Sequence, residues 1–569
     1  MSMFVVSSRL TARRSNALAH LVATEDKPTF FGFDDIDDGA DRQPPAAVLL
    51  DGPAVAPSAA LVRRLLSWVE QGTALVALGL PAGREAAGGW TDVLSASAQP
   101  ALPAGEVYAR VADPDHPLAA RVDAEFPVTD VFQPLSPADD ALRTVLYVTY
   151  RFVNQVAMLA GDRGKGRVVV SGLGATEEAL SCPPLATVLR RALRPGAATR
   201  ATRSSLGLGV VGYGPFGGMG LVHGTAAAAT DGLDLVAVCD SEPARRKAAE
   251  HDFPGIRVHS SVEELAADGD VDVAVVATPP SAHMAVVCAL LRAGKHVACE
   301  KPLCFTVADA DRLFAVAAEH DRVLTVHQSR RWDPDFRAVQ AAVHNGLLGD
   351  VFNVETFVGG FEHPCRAWHS EAAVSGGMAY DWGAHHVDWI LALMGSMPTR
   401  VAATGHKRVW HDVTNLDQLR VRMQWEDGRE AEFLASDVAA VRRPKFYVQG
   451  TTGTLVGHYR DVVFEHLDPA LGYVQRPAHH AEAPASLMVV RSCNGGGLSE
   501  TTLPPAVEAP FAFHRNLADH LLLGEPLAVT PESVREVTAV LEAATRSAAE
   551  GGRPLRSRSG HGGRPVDFG

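Results

Sequence analysis

Short apolar runs recur along the middle of the chain, at Leu206–Val211, Leu235–Cys239, Val273–Val276, Lys295–Cys299 and Val323–Val326. Stretches with helical spacing, such as Ala308–Ala318, separate them. Runs this short, without alternation and bounded by turn residues, predict strands buried on both faces of a parallel sheet. Their succession with helices predicts a doubly wound nucleotide-binding domain over residues 206–327. Upstream, Ala46–Leu50, Ala74–Leu78 and Arg167–Val170 read as buried strands and Ala59–Glu70 as a helix. They predict a three-layer α/β domain with a mainly parallel sheet over residues 1–195. Arg194–Ser205 has no periodicity and reads as a linker, placed at residues 196–205. From residue 328 the texture changes. Val351–Val358, Gln418–Trp425, Glu430–Leu434 and Phe446–Gly450 predict a mainly antiparallel, open-faced sheet in an α/β domain over residues 328–550. Helices are expected at Phe511–Leu523 and Pro531–Ala549, and the Gly-, Arg- and Ser-rich tail 551–569 is expected to be disordered.

Composition narrows the partners. The 569 residues are 47% hydrophobic and carry a net charge of −14, which disfavours nucleic acid and anionic membrane. No apolar stretch has transmembrane length and no signal peptide is recognisable, and the seven cysteines are scattered without a C-x-x-C pair. A reducing cytoplasm is the expected location.

Chemistry enters with Gly212-x-Gly214-Pro-Phe216-Gly217, a G-x-G-x-x-G turn directly after a strand. Asp240 ends the next strand, 23 residues past Gly217, where a dinucleotide fold places a carboxylate on the adenosine ribose. That carboxylate favours NAD; Arg245 and Arg246 keep NADP open. Lys301 follows the strand Lys295–Cys299 by two residues, at the sheet edge where such folds bind ligands. Asp381 and His385 are spaced i, i+4, so a helix would present both on one face. An aspartate there fixes the imidazole or shares its proton, and imidazole exchanges protons near neutrality. His363, Cys365 and His369, with His385 and His386, have metal-ligand residue types, but loop histidines beside a polar pocket explain them and no metal is expected.

Together these pieces resemble the glucose–fructose oxidoreductase / inositol dehydrogenase / MocA-type (Gfo/Idh/MocA) oxidoreductases. The matching motifs are the glycine turn, Ala277–His283, Glu300-Lys301-Pro302, Arg330–Pro334, Gly376–His385 and Gln449–Leu455. The resemblance implies an NAD-dependent oxidoreductase acting on a secondary hydroxyl of a sugar, glycoside or cyclitol, with carbon 3 of a glucoside as one target. It implies Lys301 and His385 as the proton-transfer pair and Asp381 as a substrate contact that tunes His385. It also implies cofactor contacts from Gly212, Gly214, Phe216, Gly217, Asp240, Thr278, Pro279, His283, Glu300, Lys301 and Arg330. Substrate contacts would come from Lys301, Trp368, Asp381 and His385, and family members often form homo-oligomers, here a dimer or tetramer. Redox-neutral cleavage of a glycoside by the same residues is an alternative, and a non-catalytic NAD-binding regulator is another. Residues 1–195, through His116-Pro117, Gly72–Val76 and Gly164–Gly174, are similar to the ThuA-like branch of the class I glutamine amidotransferase-like fold. The strand ending Leu78-Gly-Leu-Pro81 lacks the nucleophilic cysteine of a working glutaminase, so a non-catalytic role is expected there.

Overall fold

Two compact units make up the chain, Met1–Arg200 and Ala201–Gly569. The computed structural model describes residues 2–556, with the exception of 23–27, 34–42, 54–55, 83–87, 115, 152, 195–203, 216–217, 366, 469–471, 478–482 and 494–495. Most of the expected linker and residues 557–569 of the tail therefore lie outside the described residues.

In the first unit, Met3–Ser7, Ala47–Asp51, Ala74–Leu78 and Gly166–Ser171 pair in parallel, with Thr29–Phe31 at the edge. Alternate residues of these strands serve two cores. Val48, Leu50 and Leu75 pack with Leu61, Leu65 and Trp68 of the helix Ala59–Gln71. Val5, Leu49 and Val76 pack on the opposite side with Leu18 and Leu21 of Ala12–Val22 and Leu185 and Leu189 of Pro183–Ala192. The sheet is not mainly parallel, however. Beyond Gly166–Ser171 it continues antiparallel through Val153–Arg163, Arg143–Tyr150, Gly105–Val111 and Glu125–Asp130. A hairpin turn at Gly164-Lys165 reverses the chain there, and Glu125–Asp130 alternates exposed and buried positions, as a strand solvated on one face does.

The second unit opens with a six-stranded, all-parallel sheet. Its order is Arg257–His259, Leu233–Cys239, Leu206–Val211, Val273–Val276, His296–Glu300, Leu324–His327. Strand order reverses between Leu206–Val211 and Val273–Val276, which opens a crevice at their carboxyl ends. A nine-stranded sheet follows, antiparallel except where Val351–Gly359 runs parallel to Glu430–Ser436. The helix Gly383–Met394 and the helix Pro531–Ala549 pack with it around Trp389, Phe433 and Phe446, and Phe336 stacks on Trp389 at 5.3 Å.

The carboxyl-terminal segment also completes the parallel sheet. Phe513 and Leu517 of the helix Ala512–Leu523 join its core, and Thr325 Oγ1 donates to Val529 O at 2.9 Å. The tail differs from expectation at its start. Leu555–Arg556 pairs with Arg400–Val401, so backbone hydrogen bonding orders it despite its composition.

One buried ion pair anchors the second sheet to the helix Pro334–His344. Asp335, fully buried, accepts from Lys445 Nζ at 2.6 Å and from Ala485 N at 2.8 Å. Lys445→Ala strands that carboxylate and should cost about 3–5 kcal/mol in a denaturant titration. Replacing both partners by apolar residues should cost much less. A loss below about 1 kcal/mol for the single variant would place this pair among weak surface bridges instead.

Candidate active site

The crevice is built first by the glycine turn. Gly212 has φ +100°, and a Cβ there would sit 2.7 Å from Ala277 O, so only glycine lets the chain turn off the strand here. At Gly214 a Cβ would meet nothing within 4 Å, which leaves its backbone open to a ligand. Phe216 and Gly217 lie outside the described residues. Met219 and Gly220, the first residues of the helix Met219–Ala229, line the same crevice and present a helix N-terminus suited to phosphate. Asp240 accepts from Tyr213 N at 2.7 Å and Glu242 N at 2.9 Å, one bond per carboxylate oxygen, so lone pairs remain for ribose hydroxyls. Arg245, Ser260 and Ser261 also line this end, whereas Arg246 turns back to donate to Asp240 O and Ser241 O.

The cavity, about 870 Å³, runs from Asp240 to the ends of the strands Val273–Val276 and His296–Glu300. Thr278 and Pro279 line it, and the buried Thr278 Oγ1 has no hydrogen-bond partner among the described residues. His283 does not line it. Its ring nitrogens meet Thr278 O at 2.8 Å and Pro302 O at 2.9 Å, so it braces two loops from behind, where the sequence suggested a cofactor contact. The glycine cradle, the acid and the orphaned threonine hydroxyl fit a dinucleotide with its adenosine at Asp240 and its nicotinamide toward Lys301.

At the far end, Lys301 continues the strand His296–Glu300 and is joined to Pro302 by a cis bond. Its Nζ donates to Asp381 Oδ1 and to Asp381 O, both at 2.8 Å. Burial alone would raise the Asp381 carboxyl; the Lys301 ammonium overrides this and holds it below its ordinary value. Asp381 closes the short helix Met378–Asp381 and His385 sits in the first turn of Gly383–Met394. The two share a cavity wall, but the carboxylate is bonded to Lys301 in place of the imidazole. Burial, with the Lys301 and Arg330 charges, pushes His385 well below the usual imidazole value, so its neutral, proton-accepting form prevails. His385 Nδ1 is buried with no partner among the described residues. Trp368 stacks on His369 at 3.6 Å and both line the cavity, steadied by Asn415 Nδ2 donating to His369 O.

Behind Lys301 lies a buried polar chain. Glu300 Oε2 accepts from Lys301 N, and Oε1 faces His327 Nδ1 at 2.8 Å and His223 Nε2 at 3.0 Å. Burial would raise Glu300, yet His327 and His223 hold it well below the carboxylate range. Since an ionised carboxylate only accepts, both rings donate to it, and His223 Nδ1 is left to accept from His514 Nε2 at 2.9 Å.

One cavity thus gathers Gly212, Gly214, Asp240, Thr278, Pro279, Glu300, Lys301, Arg330, Trp368, Asp381 and His385. His369, named in the sequence only as a loop histidine beside a polar pocket, lines this cavity, whereas Trp382 and the serines 260 and 261 carry no diagnostic spacing and were missed. Sequence reasoning also missed Asp437, whose carboxyl is pushed up to about 7 by burial and by the carboxylates of Asp381 and Asp417. His363 pairs with Asp412, and Cys365 Sγ lies beside Ser370 Oγ. Among the described residues no helix is long and apolar enough to cross a membrane.

Known proteins are similar to this chain in sequence and in fold. Residues 206–328 match the oxidoreductase family with an NAD-binding Rossmann fold, and residues 336–456 match the GFO/IDH/MocA C-terminal domain. An uncharacterized oxidoreductase of Schizosaccharomyces pombe is 29% identical over 239 residues, which is 40% of this chain and 65% of that protein. The scyllo-inositol 2-dehydrogenase (NADP(+)) IolW of Bacillus subtilis is 25% identical over 60% of this chain and 94% of its own. An NAD-binding protein from Listeria innocua, of known structure, superposes with a TM-score of 0.53 at 30% identity, covering 62% of this chain and 97% of that one. Through residues 206–456 the chain belongs to the Gfo/Idh/MocA family of NAD-binding oxidoreductases.

Proposed function

We propose that the chain oxidises a secondary hydroxyl of a sugar, glycoside or cyclitol, or reduces the corresponding ketone, with NAD as the preferred dinucleotide. The observation that carries this reading is the convergence of Lys301, Asp381 and His385 on the cavity that begins at the glycine cradle. When bound, the nicotinamide supplies the hydride acceptor, or in reverse the donor. Lys301, fixed between the Asp381 carboxylate and carbonyl, orients the reacting oxygen. His385, kept neutral by burial and by adjacent cations, takes the hydroxyl proton as the carbon–hydrogen bond breaks. Asp381 contacts the substrate and tunes His385 through Lys301, since its own bonds go to the lysine. Trp368 offers an aromatic face to the sugar ring. A relative named for scyllo-inositol supports a cyclic polyol substrate, and carbon 3 of a glucoside is a specific candidate.

We further place the enzyme in the cytoplasm, with its seven cysteines free. It would self-associate through its nine-stranded sheet, and residues 1–195 would serve as a non-catalytic, ThuA-like accessory domain. Screening sugars, glycosides and cyclitols with NAD for formation of the reduced cofactor tests the central reading; no turnover on a broad panel would favour a non-catalytic regulator.

A second reading has one observation in its favour. Asp437 does not line the cavity, but burial and the Asp381 and Asp417 carboxylates push its carboxyl up to about 7, so a carboxyl that holds a proton near neutrality, as redox-neutral cleavage of a glycosidic bond requires, lies close to Asp381. In that case product forms without accumulation of reduced cofactor.

Asp240→Ala should weaken NAD binding and narrow its advantage over NADP, measured by calorimetry. A wild type that prefers NADP contradicts the role given to Asp240.

Removing a general base or its positioning partner typically costs about 10²–10⁴-fold in rate. Lys301→Ala and His385→Ala should each lose kcat by that order with NAD affinity nearly intact. The double variant should lose less than the product of the two. The acidic limb of wild-type kcat/KM should fall below the ordinary imidazole value of about 6.5, following the direction of the His385 shift. Near-normal turnover by Lys301→Ala would remove the centre of this reading.

Asp437 yields a stability test with a definite sign. Its folded-state pKa is raised from 3.8 to about 7, so the folded chain holds the proton more tightly than the unfolded chain. Wild-type stability from this group is therefore lost progressively as pH rises from about 4 to about 7. Asp437→Asn should unfold at a higher temperature than wild type above neutrality, and the difference should shrink toward mildly acidic pH. An advantage independent of pH would show that the carboxyl titrates normally.

A further inference from the structure

Three histidines with no part in the proposed reaction meet inside the second unit. His223 comes from the helix Met219–Ala229, His327 ends the strand Leu324–His327, and His514 comes from the helix Ala512–Leu523. They are 0, 6 and 2% exposed. One donor nitrogen from each lies within 4.8 Å of the other two, and the pair His223 Nδ1 and His514 Nε2 is 2.9 Å apart.

We propose that His223, His327 and His514 bind one divalent transition-metal ion of the zinc type, oriented by Glu300. Three imidazole nitrogens are a borderline donor set suited to zinc, cobalt or nickel, and unsuited to calcium or magnesium. The supporting carboxylate is already in place. Glu300 Oε1 holds one nitrogen of His223 and one of His327, which fixes both tautomers and turns the opposite nitrogen of each ring away from the carboxylate, that of His223 toward His514 Nε2. A carboxylate bonded to the far side of a ligating histidine is the usual outer support of such an ion. Its negative charge lies within hydrogen-bond reach of two of the three ligands and offsets the charge of a buried cation.

Distances need little change. Zinc–nitrogen bonds of about 2.0–2.1 Å in a tetrahedron set neighbouring nitrogens about 3.3 Å apart. The 2.9 Å pair opens by a few tenths of an ångström, and the third nitrogen closes by at most about 1.5 Å. Glu300 and His327 also line the main cavity, which gives an ion a way in. Such an ion would clamp the carboxyl-terminal helix Ala512–Leu523 to the parallel sheet directly behind Lys301.

The untagged full chain, stripped with a chelator and dialysed against Zn²⁺, should retain one zinc ion per chain by elemental mass spectrometry. It should then unfold at a higher temperature than the stripped chain. His514→Phe, which keeps a ring of similar size, should lose both the ion and the zinc-dependent rise. Co²⁺ in the wild type should give the strong visible bands of a tetrahedral site. Absence of retained zinc, or equal retention by His514→Phe, overturns the proposal and leaves a hydrogen-bonded histidine chain. If His514→Phe does not fold, the cobalt spectrum decides: tetrahedral bands support the site, and their absence refutes it.

Discussion

A single ammonium group holds the site together. Lys301 extends from the end of a parallel strand, and its Nζ is gripped by the carboxylate and the carbonyl of Asp381, which belongs to a helix entering the second sheet's core. The pair joins the parallel sheet of the NAD-binding Rossmann fold to the helices packed on the nine-stranded sheet. At 20% and 31% side-chain exposure it is neither a screened surface bridge nor a fully desolvated pair. The amine is therefore fixed in place yet still open to the cavity. Without that grip a lysine at a strand end would be one more mobile surface side chain.

Charge placement around the pair follows from burial. Glu300 stays ionised in the interior because two histidines and the Lys301 backbone N–H face it. His385 stays neutral for the opposite reason, having two cations near it and no carboxylate bonded to its ring. A buried anion and a buried neutral imidazole are thus held near the same lysine. His283 shows that a buried histidine can serve the same site through the backbone alone, by tying the Thr278 loop to Pro302.

Much of this was legible in the chain. Continuous apolar runs identified the parallel strands, and the glycine turn, Asp240, Lys301, Asp381 and His385 stood out through position relative to those strands. What escaped had physical reasons. In the antiparallel half of the first sheet Glu125–Asp130 is solvated on one face and alternates, while Val153–Arg163 is exposed at its start and buried in its middle, so neither presents the continuous apolar run of a parallel strand. Arg257–His259 is three residues long, below the reach of any periodic signal. The tail strand Leu555–Arg556 is ordered by pairing with a distant strand, which local composition does not encode. His223, His327 and His514 are far apart in sequence, and only the folded chain reveals that they meet. Asp381 and His385 line one cavity, but from two helices separated at Trp382 rather than from one helix face, and the spacing did not reveal the partner of Asp381, because a long-range lysine outcompetes the neighbouring imidazole.

The central claim is that a carbon-bound hydride passes from a cyclic polyol or sugar to the dinucleotide at Lys301. Incubating the full chain and NAD with a panel of carbon-deuterated inositols, sugars and glycosides, then weighing the recovered dinucleotide by mass spectrometry, tests it most directly. The account predicts deuterium on the reduced cofactor with at least one member of the panel, and none with Lys301→Ala in the same time. A dinucleotide that never acquires deuterium from any of them would contradict it.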